Sequence, residues 1–273
     1  MTMEAGHRPE GGQEDVWAAG DLYEAYVGRW SRLVAAEFLA WLDAPPGGRW
    51  LDIGCGTGAL SQAILDRCAP ASVLGIDSSK GFLRHARRQV ADPRAEFRLG
   101  DAQALPVPDA AFDPVVSGLM LNFVPDQPKA VMEMRRAARP DAPVAAYVWD
   151  YAEGMQMMRR FWDAAVALDP DAREKDEARR FPICRPDPLL ALFEEIGLLM
   201  VEVKAIEVQT LFRDFDDYWT PFLGGQAPAP GYCMSLTEDR RAALRERLRA
   251  TLPIEADGSI HLTARAWAVR GTA

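Results

Sequence analysis

Leu51-Asp52-Ile53-Gly54-Cys55-Gly56-Thr57-Gly58-Ala59-Leu60 is the stretch of this sequence best suited to hold a ligand. An apolar run leads directly into three alternating glycines, and a helical pattern follows. Glycine lacks a Cβ, so the turn can be tight and a ligand can approach the backbone closely. The helix start behind it offers free N–H donors and the positive end of a dipole. The spacing of Gly54, Gly56 and Ala59 also satisfies the relaxed dinucleotide fingerprint. Asp52 shifts the choice of ligand, because that position is normally apolar in a dinucleotide loop. A carboxylate there suits an ammonium group better than a pyrophosphate. Cys55 sits between two glycines at a helix N-terminus, where thiolates are stabilised, so a reactive thiol is one reading of it.

The elements that position this loop follow from the apolar patterning. Strands are expected at 49–54, 72–77, 95–100, 112–118 and 143–150, and helices at 58–67, 80–90 and 127–138. Pro114 weakens the fourth strand, since proline cannot donate to a ladder. This alternation predicts a parallel sheet with helices on both faces. Ligands of such sheets bind outside the carboxyl ends of the strands, so Gly54, Asp77, Asp101, residues 117–122 and Asp150-Tyr151 should ring one crevice. Beyond it, helices are expected at 155–168 and 187–196 and strands at 200–208 and 259–269. A Gly/Pro loop spans 224–231, and a helix opens at Ser235 with Glu238 in capping-box spacing. His85 shares a helix with Arg84, Arg87 and Arg88 and reads as solvated; the arginines at 240, 241, 245, 247 and 249 read likewise.

Asp-x-Gly-x-Gly-x-Gly at 52–58 resembles the first motif of the class I methyltransferases that use S-adenosylmethionine, within their small-molecule, ubiquinone/menaquinone-like branch. That resemblance implies a doubly wound, mostly parallel seven-stranded Rossmann-like sheet. It also implies that Asp77, followed by Ser78, accepts hydrogen bonds from the donor's ribose, and that Asp101-Ala102 reads the adenine amino group. An ionised carboxylate is acceptor-only and can take two donors at once. With Asp52, Gly54, Cys55, Gly56, Gly58 and Ser117, these residues make up the expected cofactor site. The segment YEAYVGRW at 23–30 suggests either an amphipathic helix packed on the sheet or a lid in which Tyr26 or Trp30 shields the donor and Arg29 pairs with its carboxylate. No catalytic residue is implied, and the aromatic motif of amino-methylating nucleic-acid enzymes is missing after the fourth strand.

The chain's 273 residues suit a single domain at 17–273, with lid helices at 17–47, a donor-binding half at 48–150 and cap insertions at 151–185 and 209–258. Residues 1–16, rich in glycine and poor in apolar side chains, predict a disordered tail. A net charge of −9 disfavours nucleic acid as partner or acceptor. The cysteines form no metal-binding pair, so no metal is expected. No signal peptide or apolar stretch of ~18 residues is visible, which predicts a cytoplasmic protein without membrane attachment. A small-molecule acceptor held by the aromatics of the second insertion, Tyr218 and Trp219 among them, fits this balance. The rival readings are a nicotinamide-dependent oxidoreductase, for which no Tyr-x-x-x-Lys set exists, and a non-catalytic binding module of the same fold.

Overall fold

The computed structural model describes residues 24–225 and 227–273. The expected tail at 1–16, the first part of the lid at 17–23 and Gln226 lie outside the described residues. Seven strands form one sheet: β1 (Arg49–Ile53), β2 (Ser72–Asp77), β3 (Ala95–Leu99), β4 (Val115–Gly118), β5 (Pro143–Trp149), β6 (Leu199–Phe212) and β7 (Ile260–Thr272). Their order is β3-β2-β1-β4-β5-β7-β6, and β7 runs against both its neighbours. The chain winds outward from β1 to β3, then returns to build β4 and β5 on the other side of β1. The carboxyl ends of β1 and β4 therefore flank the switch point at which such sheets open a crevice. The central strands are largely apolar: Trp50, Leu51 and Ile53 of β1 and Val115 and Val116 of β4 are buried, as strands covered on both faces require, and Asp52 and Ser117 are the buried polar exceptions.

Helices α1 (Arg29–Leu42), α2 (Ala59–Arg67), α3 (Lys80–Gln89) and α4 (Gln127–Ala137) cover the sheet. Each of the last two starts at a side-chain cap: Ser79 accepts from the Phe82 N–H and Asp126 from the Lys129 N–H. Pro114 lies just ahead of β4, where its missing N–H costs nothing. The two long connections, after β5 and after β6, are helical. The first carries α5 (Gln156–Leu168), α6 (Glu177–Arg180) and α7 (Pro186–Glu195); the second carries α8 (Phe215–Trp219), α9 (Pro228–Ser235) and α10 (Glu238–Thr251). They meet each other and the short π-helix Glu24–Gly28 that precedes α1.

Four expectations are corrected. His85 is buried, because its position three residues after Phe82 places it on the apolar side of α3 together with Leu83 and Ala86. Strand β6 runs four residues past 208, with Thr210 and Phe212 buried, so the second insertion begins at 213. Much of the expected Gly/Pro loop is α9, which starts at Pro228 where proline's fixed φ suits a first turn. The helix after it is capped by Thr237, whose hydroxyl accepts from the Arg240 N–H, and Ser235 closes α9 instead.

Candidate functional site

The glycine turn is shaped by contacts that only glycine permits. Gly54 has φ +70°, and a Cβ there would collide with the Met120 side chain. Gly58 has φ +91° and opens α2, and a Cβ there would lie 2.9 Å from Val90 Cγ2. Asp77, at the end of β2, fastens the turn from the side: one carboxylate oxygen accepts from the Gly56 N–H at 2.9 Å and the other from the Ser79 N–H at 2.7 Å. Each oxygen keeps a further lone pair. Burial pushes the Asp77 carboxyl above the usual range, opposed by these two donors.

Asp52 is fully buried beneath the turn. Its Oδ2 accepts from the Ser61 hydroxyl at 2.6 Å, whereas Oδ1 has no partner. Burial, reinforced by the neighbouring Asp77 charge, pushes this carboxyl up to about 7 against the pull of Ser61. Cys55 is buried as well, and burial together with the Asp52 and Asp77 charges holds its thiol well above the ordinary value. A thiol in that condition is not a nucleophile.

A cavity of about 330 Å³ opens between these elements at the carboxyl ends of β1, β2 and β4. Of the expected residues, Asp52, Gly54, Cys55, Gly56, Asp77 and Ser78 line it. Gly118, Leu119 and Met120, within the expected 117–122 rim, line it too. Ser31, Ser79, Phe82, Phe123 and Tyr147 are among the other wall residues, and none of these was expected. Phe82 and Tyr147 sit inside helix and strand patterns that read simply as core, and only the fold brings their rings to the cavity.

Several expected residues are placed elsewhere. Arg29 Nη1 lies 3.2 Å from both carboxylate oxygens of Asp217, and its guanidinium covers the rings of Trp30 and Phe212 at 4.3 and 4.9 Å. A carboxylate 188 residues away has taken the partner role assigned to the donor. Tyr26 is buried with its ring edge against Phe222, 5.6 Å between centroids, and is not a cavity wall. Ser117 is buried in β4 one residue before the wall begins, and its hydroxyl is unpartnered. Asp101 and Ala102 lie outside the walls; the Asp101 carboxylate is exposed and held by the Gln103 N–H at 2.8 Å. Asp150 is tied to Arg265 at 2.6 Å and Tyr151 packs on Phe181, so neither reaches the cavity.

Comparison with known proteins agrees with this geometry. A methyltransferase-domain family model matches residues 51–146. The chain is 34% identical over 171 residues to the demethylmenaquinone methyltransferase of Roseiflexus castenholzii, covering 57% of this chain and 70% of the relative. The chain belongs to the class I S-adenosylmethionine-dependent methyltransferases. The trans-aconitate 2-methyltransferase of Variovorax paradoxus is 31% identical over 176 residues, which are 64% of this chain and 63% of the relative. Among solved structures, phosphoethanolamine N-methyltransferase 2 of Haemonchus contortus in complex with S-adenosyl-L-methionine shares the fold. Its TM-score is 0.56 at 18% identity, over 91% of this chain and 56% of that one. This methyltransferase thus has relatives named for different acceptors.

Proposed function

We propose that this methyltransferase binds its donor in the 330 Å³ cavity and transfers the methyl group to a small, partly apolar acceptor enclosed by the two helical insertions. The observation that carries the reading is Asp52 Oδ1, a buried carboxylate oxygen without a partner in the cavity wall. A site that leaves such an oxygen unmet suits a ligand carrying an ammonium group. The glycine turn would admit the methionyl end against its backbone, and Asp77 has lone pairs left for a ribose diol. The donor supplies a methyl group whose leaving group is already activated, so positioning and exclusion of water can provide most of the catalysis. A dedicated base is not required of the donor half.

The acceptor class rests on charge and enclosure. A net charge of −9 repels phosphate backbones, and enclosed aromatic surroundings suit a metabolite. The lid and the insertions are joined across the chain, by Arg29 to Asp217 and by Tyr26 to Phe222. The described residues contain no helix long and apolar enough to cross a membrane, and four free thiols suit a reducing cytoplasm.

Calorimetry with S-adenosylmethionine and S-adenosylhomocysteine tests the donor assignment, which fails if a nicotinamide dinucleotide binds tightly and the sulfonium does not. A metabolite screen with labelled donor, read by mass spectrometry, identifies the acceptor. Replacing Asp77 by alanine is expected to lower donor affinity by at least tenfold, since charge-assisted hydrogen bonds are worth about 1.5–3 kcal/mol. The same change frees the Gly56 and Ser79 N–H groups, so the loss should exceed that of a variant lacking a ribose contact alone. A folded Asp77→Ala protein with parental affinity would show that the carboxylate serves only the turn.

A further inference from the structure

Beyond the donor cavity lies a second group of polar atoms that the fold leaves unmet. Glu177, on the short helix α6, is buried with 1% exposure. Its Oε2 accepts from the Trp162 indole N–H, while Oε1 has no partner. The Tyr26 hydroxyl and both amide atoms of Asn122 are likewise buried without partners. An unmet buried polar atom is a cost to the fold. Such groups call for an explanation, and a ligand supplies one.

These residues adjoin the donor cavity through named contacts. Asn122 belongs to the 3-10 turn Leu121–Phe123, and Phe123 is a cavity wall. The Phe123 ring meets Phe181 edge-on at 5.1 Å, and Phe181 in turn meets Tyr151 at 5.8 Å. The Phe181 N–H donates to the Glu177 carbonyl at 2.9 Å, which fixes α6 behind this aromatic wall. On the other side, Tyr26 lies on the π-helix five residues before Ser31, another cavity wall. Its ring abuts Phe222, which stacks on Phe161 at 4.4 Å, next to Trp162. π-Helical turns concentrate at functional sites.

We propose that Glu177 Oε1, with Tyr26 and Asn122, is the polar end of the acceptor site and receives a hydroxyl carried on an aromatic acceptor. This rests on the methyltransferase reading and adds to it the residue that selects the acceptor. An ionised carboxylate can only accept hydrogen bonds, so it selects for a donor such as O–H and against its methyl ether. The surrounding rings offer faces and edges to a flat apolar body. Burial pushes Glu177 up to about 7, and a hydroxyl donated to Oε1 would favour its ionised, accepting form.

The test measures binding of phenol, catechol and 2-naphthol, each beside its methyl ether, to the full chain saturated with S-adenosylhomocysteine. The parent should prefer at least one hydroxyl form by about tenfold, the worth of one such hydrogen bond. Glu177→Leu should abolish that preference while leaving S-adenosylhomocysteine affinity within twofold of the parent, by the order of ~0.4 kcal/mol or less. Glu177→Gln keeps an acceptor for the Trp162 indole but puts an NH2 donor where Oε1 stood, so it should also lose the preference, even if the leucine variant does not fold. The proposal is overturned if the parent shows no hydroxyl preference, or if the preference survives undiminished in both variants. A parent that fails to bind S-adenosylhomocysteine overturns instead the donor reading on which the proposal rests.

Discussion

Replacing Asp52 with asparagine is expected to stabilise the protein at pH 8 while lowering donor affinity roughly tenfold to a hundredfold. The two effects have one cause. Asp52 is fully buried, and burial raises its carboxyl from 3.8 to about 7. Below pH ~4 the group is protonated in both folded and unfolded chains and its titration favours neither. As the pH climbs from there toward 7, the unfolded chain releases its proton first, so stability declines through that window and levels off above it. A shift of that size corresponds to a cost on the order of 4 kcal/mol at pH 8. Asparagine has no proton to lose, and its amide oxygen can still accept from Ser61. Its melting temperature should therefore exceed the parent's at pH 8 and converge with it near pH 4. Glu177, also raised to about 7, leaves a second decline of the same sign in the variant. Thermal melts across that range, with calorimetry for the donor, check both halves. A variant no more stable than the parent at pH 8 would mean that the carboxylate finds compensation in the folded chain, and undiminished donor affinity would remove Asp52 from the site.

The glycine turn was legible in the sequence because its signals are local. Asp52, Gly54, Cys55 and Gly56 lie in or beside the turn, Asp77 and Ser78 were pointed to by the family resemblance, and all six line the cavity at the carboxyl ends of β1 and β2. The parallel part of the sheet follows from the alternation of strands and helices, whereas the antiparallel β7 between β5 and β6 has no such local signal. What the sequence hid depends on partners far along the chain. Arg29 reads as free to bind a carboxylate until Asp217 appears beside it, and Asp150 reads as a crevice residue until Arg265 claims it from β7. His85 was hidden by its neighbours, since three arginines around it mask a helix face defined by Phe82, Leu83 and Ala86. The segment from Gly224 to Gly231 has turn composition, yet Ala227, Ala229 and Pro230 are buried, and proline at a first helical turn looks the same in sequence as proline in a loop. Glu177 was concealed within a run of charges, where burial of one member has no local signature.

Tyr218→Ala is expected to cost about 3–5 kcal/mol of stability, as removal of a large core side chain does. The aromatic run of the second insertion suggested acceptor contacts, but the structure makes Tyr218 a core residue of the insertions themselves. It is fully buried, its ring lies among Phe212, Phe215 and Phe222 at 5.3, 6.4 and 5.4 Å, and its hydroxyl donates to the Met157 carbonyl at 2.8 Å. That bond crosses from α8 to α5 and so joins the second insertion to the first. Tyr218→Phe keeps the rings in contact and removes only the bond; the Met157 carbonyl keeps its place in the α5 ladder, so the loss should be about 0.5–1.5 kcal/mol. The two variants should thus lose stability in that order, with donor affinity preserved in both, because none of the cavity walls is touched. Acceptor turnover in the phenylalanine variant should match the parent at low temperature and fall on warming before the whole chain melts, as the insertions loosen from the sheet. Parental stability in Tyr218→Ala would contradict the packing described for the insertions. A phenylalanine variant that is stable but inactive at every temperature would return Tyr218 to the acceptor site, where the hydroxyl, and not the packing, would be its contribution.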